Sequence, residues 1–283
     1  MQIFREKAAL QGAILGLKQD KKTIGFVPTM GALHIGHLSL VKQAAALCDV
    51  VVVSIFINPT QFDNPNDLRD YPRTLETDVS LLEELRLHIL IFAPNAQELY
   101  GEKVEAEHFL FDGLEHEMEG KFRNGHFNGV GTVVKKLFEI VQPDKAFFGE
   151  KDYQQLQIIK KLTQKHSLPI EIIGCPIDRE INGLARSSRN ERLSSEVRKE
   201  ASFIYNTLAT VKEKFGTESA KSINDWVKKQ FEGHKVLKLE YFEIANIETL
   251  KTIDAKEAGA HYRAFIAAFA GDVRLIDNIA LNY

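Results

Sequence analysis

Short apolar runs alternating with stretches of helical periodicity mark roughly the first 175 residues of this 283-residue chain. Residues 23–27, 50–57, 88–92, 145–148 and 170–173 are apolar with little alternation, the pattern of strands covered on both faces. Residues 38–47, 75–85, 130–141 and 153–166 repeat their apolar positions at a period near 3.6, which predicts helices between those strands. Strands alternating with helices imply a parallel sheet with helices on both faces. The predicted fold is therefore α/β, a Rossmann-like doubly wound sheet.

After about Cys175 the pattern changes. Residues 183–193 are polar and loop-like, 194–215 and 219–231 look helical, and 237–244, 261–269 and 273–281 look like strands. The last two are joined across Ala270-Gly271-Asp272, a hairpin signal. The chain is thus expected to divide into a Rossmann-like domain over residues 1–175 and a smaller C-terminal α+β domain over residues 176–283. Any functional role for the loop 185–190 would require it to face the first domain.

Composition narrows the function classes. A formal net charge of −3 lacks the strong positive field that sequence-independent nucleic-acid binding needs, so no nucleic-acid partner is expected. No segment approaches the roughly 20 apolar residues of a membrane span, and residues 1–7 lack the apolar run of a signal peptide. Cys48 and Cys175 lie far apart in apolar segments without a Cys-x-x-Cys pair, which reads as two buried free thiols in a reducing cytoplasm.

The chemistry concentrates just beyond strand ends, where open α/β sheets bind ligands. Pro28-Thr29-Met30-Gly31-Ala32-Leu33-His34-Ile35-Gly36-His37 joins the 23–27 strand to the 38–47 helix. A helix start offers backbone N–H groups and a positive dipole end to an anion, glycines allow close approach, and the two imidazoles add donors. A histidine pair at this spacing could instead be a surface accident, a satisfied core pair or part of a zinc site, although no third zinc ligand is evident nearby. The strand-turn-helix setting favours phosphate. A His-x-Gly-His turn is similar to that of nucleotidyl-transfer enzymes, which attack an α-phosphate; the Gly-Lys-Ser/Thr phosphate loop is absent.

Five other stretches carry candidate polar groups. Asn58 and Gln61 end the 50–57 strand with two amides that can both donate and accept, although Asn58-Pro59 is also ordinary turn chemistry. In Gly149-Glu150-Lys151-Asp152-Tyr153-Gln154-Gln155, Lys151 could reach a phosphate, Asp152 could cap the helix or meet a ribose, and Gln155 follows about one turn later. Arg186-Ser187-Ser188-Arg189 sets two hydroxyls between guanidiniums, suited to β and γ phosphates, or to capping the helix near Ser194. Arg123 sits in a glycine-flanked loop, and residues 63–78, with Arg69, Arg73 and Asp78, form a polar segment that reads as a lid or as a surface loop.

Taken together, residues 28–37, 56–62, 71–74, 125–130, 142–144, 148–155 and 183–190 resemble, in order, the motifs of the pantoate:β-alanine ligase family. The ordered set is more specific than the histidine turn, which class I aminoacyl-tRNA synthetases and cytidylyltransferases share. The resemblance implies a nucleotidyltransferase-type fold and a ligase of coenzyme A precursor biosynthesis. Pantoate would attack the α-phosphate of Mg-ATP, giving pantoyl adenylate and pyrophosphate; β-alanine would then displace AMP. It implies His34, His37, Lys151 and Arg189 as catalytic residues, with His37 the proton donor. It places ATP on Met30, Gly31, Ala32, Leu33, His34, Ile35, Gly36, His37, Gly149, Glu150, Lys151, Asp152, Arg186, Ser187, Ser188 and Arg189. Gln61 and Gln155 would hold pantoate, Asn58, Gln61 and Arg123 would serve the second step, and Asp78 is the candidate magnesium ligand. The family also implies a homodimer and a C-terminal domain that closes over ATP.

Four positions depart from the family pattern. Arg186 stands where an apolar residue, often Met, is expected; Glu191-Arg192 replaces a small or polar residue and Tyr; Thr77 stands where a second acid beside Asp78 is expected. A cytidylyltransferase of the same fold is the alternative enzyme. Against it, the amides Gln61 and Gln155 suit a hydroxy acid better than a phosphorylated acceptor. A non-catalytic nucleotide binder is disfavoured because His34, His37, Lys151, Ser187, Ser188 and Arg189 are all retained.

Overall fold

Six strands form one parallel sheet: β1 (Gln2–Phe4), β2 (Ile24–Thr29), β3 (Val50–Ile55), β4 (Ile89–Phe92), β5 (Lys145–Gly149) and β6 (Glu171–Cys175), in the order β1-β4-β3-β2-β5-β6. The computed structural model describes residues 1–282. Around the sheet lie α1 (Lys7–Gln19), α2 (Ile35–Leu47), α3 (Pro65–Asp70), α4 (Leu75–Glu83), α5 (Ala96–Tyr100), α6 (Glu119–Phe122), α7 (His126–Val141) and α8 (Tyr153–Lys165). β3 and β4 are buried almost throughout, as their unbroken apolar runs require. Val27, Val41, Ala44, Val51, Val53, Leu82 and Ile91 build one core there.

From β2 the chain moves outward through β3 to β4, whereas β5 and β6 lie on the other side, so the order reverses between β2 and β5. That reversal is the switch point where doubly wound sheets take ligands. Its crevice has a local cause. β2 pairs with β3 from Ile24 to Thr29 but with β5 only at Gly25 and Phe26. Pro28, which has no N–H to give a ladder, falls beyond that second pairing.

The chain divides into two compact units. The first comprises Met1–Glu115, Glu119–Glu150 and Gln155–Pro176; the second comprises residues from Ile177 onward with His116–Met118 and Lys151–Gln154. The second unit contains α9 (Ser195–Glu200), α10 (Phe203–Phe215), α11 (Ala220–Glu232), β7 (Leu237–Asn246), β8 (Tyr262–Ala270) and β9 (Val273–Ala280). β7, β8 and β9 form an antiparallel meander, and Ile204, Leu208, Ile223 and Val227 of α10 and α11 share its core with Ile244, Ala264 and Ile266.

The helix expected over 194–215 is two helices. The Ser202 hydroxyl donates to the Lys199 carbonyl at 2.7 Å and the Ile204 N–H to Ala201 at 3.1 Å, so the chain tightens and turns between α9 and α10. Both cysteines are buried and free. Burial pushes the Cys48 thiol up and the Cys175 thiol up to about 11, which keeps both protonated and unreactive. Among the described residues, no helix is long and apolar enough to cross a membrane.

Candidate functional site

The β2–α2 turn is built around two successive left-handed residues, Gly31 with φ +84° and Ala32 with φ +49°. Glycine is favoured at 31 by its conformation, and the space is tight as well: a Cβ there would stand 3.1 Å from Asp78 Oδ2 and 3.2 Å from Ile55 Cγ2. The turn aims the Ala32 and Leu33 amides at the Asp78 carboxylate, which accepts them at 3.0 and 2.7 Å. Asp78 also accepts the Thr74 hydroxyl at 3.2 Å and is 1% exposed. Two amides that sequence reasoning assigned to ATP are therefore engaged by a side chain of α4.

His34 is the N-cap of α2, and the geometry fixes the tautomer of both histidines. His34 Nδ1 accepts the Gly36 N–H at 3.1 Å, and His37 Nδ1 accepts the His34 N–H at 3.3 Å. A ring nitrogen that accepts carries no proton, so each neutral imidazole carries its proton on Nε2. The rings lie 4.0 Å apart, tilted by 33°. Two Nε2–H donors thus stand side by side at the positive end of a helix that begins at the switch point.

Beside this turn in the sheet, β3 runs into the 3-10 turn Pro59–Gln61. Asn58 is 1% exposed and fully engaged. Its Nδ2 donates to Gln61 Oε1 at 2.9 Å and to the Gly129 carbonyl at 3.2 Å, and its Oδ1 accepts from Tyr100 at 2.5 Å and Thr60 Oγ1 at 3.0 Å. α7 presses against this turn: a Cβ on Gly129 would come within 2.6 Å of Gln61 N, so only glycine fits. His126, at the first turn of α7, bonds through Nδ1 to the Gln61 carbonyl at 2.9 Å and through Nε2 to Arg123 at 3.1 Å. Arg123 in turn lies 3.8 Å from Glu119.

The structure gathers Asn58, Gln61 and Arg123 into one network, with Arg123 linked to Gln61 through His126. Gly149 ends β5 at the switch point, Glu150 follows it, and Gln155 lies on α8. Tyr100, Thr60 and His126 were missed by sequence reasoning. Tyr100 had no local signal, being 42 residues from the amide it binds. His126 follows the glycine-flanked Arg123 loop, where the arginine and glycines carry the local signal.

In the second unit, Lys151 pairs with Asp152 at 3.7 Å, and its carbonyl accepts Asn278 Nδ2 of β9 at 2.8 Å. The loop carrying Ser187, Ser188 and Arg189 is braced from behind. Asn190 Nδ2 donates to Glu180 and to the Ala185 carbonyl, both at 3.1 Å, and Arg198 holds Glu180 at 2.8 Å. Burial opposes the charge on Glu180, but the Arg198 and Asn190 hydrogen bonds overcome it and hold the carboxyl below its usual range. Ser187 caps the 3-10 turn that follows it, and Ser194 caps α9, so the serine-rich stretch serves two caps. Arg186, the departure from the motif, donates through Nε to Asp178 at 2.5 Å.

The residues present give magnesium no protein cage. Among the described residues no group of three or more His, Cys, Asp or Glu is placed to hold a metal, and both Asp78 oxygens are engaged by amides.

Comparison with known proteins agrees with the fold. The family model described as pantoate-beta-alanine ligase matches residues 2–280. The chain is 63% identical over 282 residues to a pantothenate synthetase of Christiangramia forsetii, covering 100% of both chains. A solved pantothenate synthetase of Thermus thermophilus has TM-score 0.92 and 39% identity, with 100% of each chain covered. A pantoate-beta-alanine ligase of Francisella tularensis, solved with beta-gamma ATP and beta-alanine, has TM-score 0.81 and 37% identity, covering 99% and 98% of the two chains.

Proposed function

This chain belongs to the pantoate-beta-alanine ligase family, and we propose that it makes pantothenate in two steps through a pantoyl adenylate. Membership removes the cytidylyltransferase and non-catalytic alternatives. In the first step a pantoate carboxylate oxygen attacks the α-phosphorus of ATP, and the bond to the β-phosphate breaks to release pyrophosphate. In the second, the β-alanine nitrogen attacks the acyl carbon, loses a proton, and the C–O bond breaks to release AMP. The carboxylate is already ionised, so step one needs no general base.

One observation carries the reading: the paired His34 and His37 rings, each held by a backbone N–H on Nδ1 so that Nε2–H is the donor. Charge that develops on the phosphoryl oxygens and on the leaving pyrophosphate meets donors that need not reorganise. His37, which the resemblance made the proton donor, is assigned a hydrogen bond from Nε2–H to the leaving group, since a neutral ring that accepts at Nδ1 keeps its proton. Lys151, Ser187, Ser188 and Arg189 are assigned to the phosphates, and Met30, Gly149 and Asp152 to the nucleoside. Gln61 and Gln155 are assigned to pantoate, with Arg123 the candidate for the β-alanine carboxylate.

Asn58 and Asp78 receive different roles from those the motifs implied. The Asn58 amide has its protons engaged by Gln61 and Gly129, so it supports Gln61 instead of meeting β-alanine. Asp78 shapes the turn, and magnesium is read as arriving with ATP as the Mg-ATP substrate. The ATP and β-alanine found with the Francisella ligase support the substrate set. We also assign the chain to the cytoplasm as a homodimer, on family grounds.

The test is exchange of labelled pyrophosphate into ATP. Mg-ATP and pantoate alone should support it, without β-alanine. His37→Ala should slow it at least about 10²-fold, and a near-normal rate would remove His37 from the chemistry. Exchange that required β-alanine would overturn the two-step order.

A further inference from the structure

We propose that Tyr100, acting through Asn58, fixes which end of the Gln61 amide meets pantoate, so that Gln61 approaches the substrate only as a hydrogen-bond donor. The proposal rests on the reading of Gln61 as a pantoate contact.

The assignment starts from an atom that cannot be turned around. The Gly129 carbonyl oxygen only accepts, so the Asn58 atom 3.2 Å from it is the nitrogen, Nδ2. The other end of that amide is then the oxygen, and the Tyr100 hydroxyl at 2.5 Å and the Thr60 hydroxyl at 3.0 Å converge on it. Nδ2 has a second proton, directed at the Gln61 amide 2.9 Å away, and the atom receiving it must be Oε1. What remains of Gln61 is Nε2 with its two protons. It has no hydrogen-bond partner among the described residues, although Gln61 is only 9% exposed.

That nitrogen is the accessible end of a mostly buried amide, so a ligand that reaches it meets a donor already oriented. The ligand chemistry that fits is a carboxylate or hydroxyl oxygen, both of which a hydroxy acid supplies. Tyr100 keeps the proton this arrangement needs: burial pushes its phenol up, outweighing the opposing Thr60 hydrogen bond. The backbone on both sides of the amide is also held. The Gln61 carbonyl is bonded to His126, and α7 lies against the turn at Gly129. Tyr100 is thus a positioning residue that acts through Asn58: together with the Gly129 carbonyl and the Thr60 hydroxyl it disfavours the orientation in which Gln61 would offer pantoate an oxygen.

The test reads steady-state constants for all three substrates together with the melting temperature. Tyr100→Phe should raise the pantoate KM about 3- to 10-fold, leave the KM for ATP and β-alanine within about twofold, and change kcat little. Asn58→Asp cannot donate, so Gln61 should turn its nitrogen inward, and kcat/KM for pantoate should fall roughly 10²-fold. Gln61→Glu keeps the acceptor toward Asn58 but offers pantoate an anion, and should abolish saturation by pantoate. An unchanged pantoate KM in Tyr100→Phe, with a raised one in Gln61→Glu, overturns the relay and leaves Gln61 as the pantoate contact. An unchanged pantoate KM in Gln61→Glu overturns both. Equal rises in all three KM values with a lowered melting temperature in Tyr100→Phe would mark that tyrosine as merely structural and also overturn the relay.

Discussion

Asp78 does for the β2–α2 turn what a bound anion does for a phosphate loop. Two left-handed residues in succession bring neighbouring amides to one point, and such concavities bind negative charge. Here a carboxylate of the same chain fills the point, 45 and 46 residues further along. The turn is held by the protein's own carboxylate, and the histidines that follow it inherit its position. Asp78→Asn replaces one accepting oxygen with an amide NH2 facing a backbone N–H. The expected outcome is a fall of about 10²-fold in kcat/KM for ATP, the scale of an ångström-size misplacement of catalytic groups. Raising magnesium tenfold should leave that defect in place. Recovery of activity with magnesium would return Asp78 to the role of metal ligand.

At the scale of elements, β2 and β3 are aligned at their first residues by Asp49. Its carboxylate accepts the Thr23 N–H at 2.8 Å and the Thr23 hydroxyl at 2.7 Å, while its own N–H donates back to that hydroxyl at 2.9 Å. The Thr23 backbone bond, with the hydroxyl second, holds this carboxyl down to about 2. A carboxyl depressed in the folded state stabilises above its unfolded pKa of about 3.9, and that contribution is lost as pH falls toward 2. In denaturant titrations, Asp49→Asn should therefore be less stable than the parent at pH 6, with the difference shrinking between about pH 4 and pH 2. A constant difference across that range would assign the effect to packing. The strands so aligned were legible in the sequence because burial on both faces leaves an unbroken apolar run, as in β3 and β4. β1 and α1 were not, because they bury so little: Phe4 in one, Leu10 and Ile14 in the other. The polar motifs were legible as local blocks. Their supports, Asp78 on the turn and Tyr100 on Asn58, are set by tertiary contacts that no local pattern records.

At the scale of the whole molecule the question is which bond of ATP is broken, because an acid can be activated for amide formation by adenylation or by phosphorylation. The proposed route is attack at the α-phosphorus, with pyrophosphate leaving. The two routes send the substrate's oxygen to different products. In adenylation the attacking carboxylate oxygen becomes bonded to the α-phosphorus, and when the amine breaks the C–O bond that oxygen departs on AMP. Attack at the γ-phosphorus would instead deliver it to inorganic phosphate and leave ADP. Pantoate labelled with oxygen-18 in its carboxylate, turned over with ATP and β-alanine, should therefore give AMP carrying one labelled oxygen and unlabelled pyrophosphate, read by mass spectrometry. Label in phosphate together with ADP would overturn the adenylate. The His37→Ala protein adds a second constraint: its residual turnover should place the label in the same product, since His37 is assigned to the rate of pyrophosphate departure and not to the choice of phosphorus.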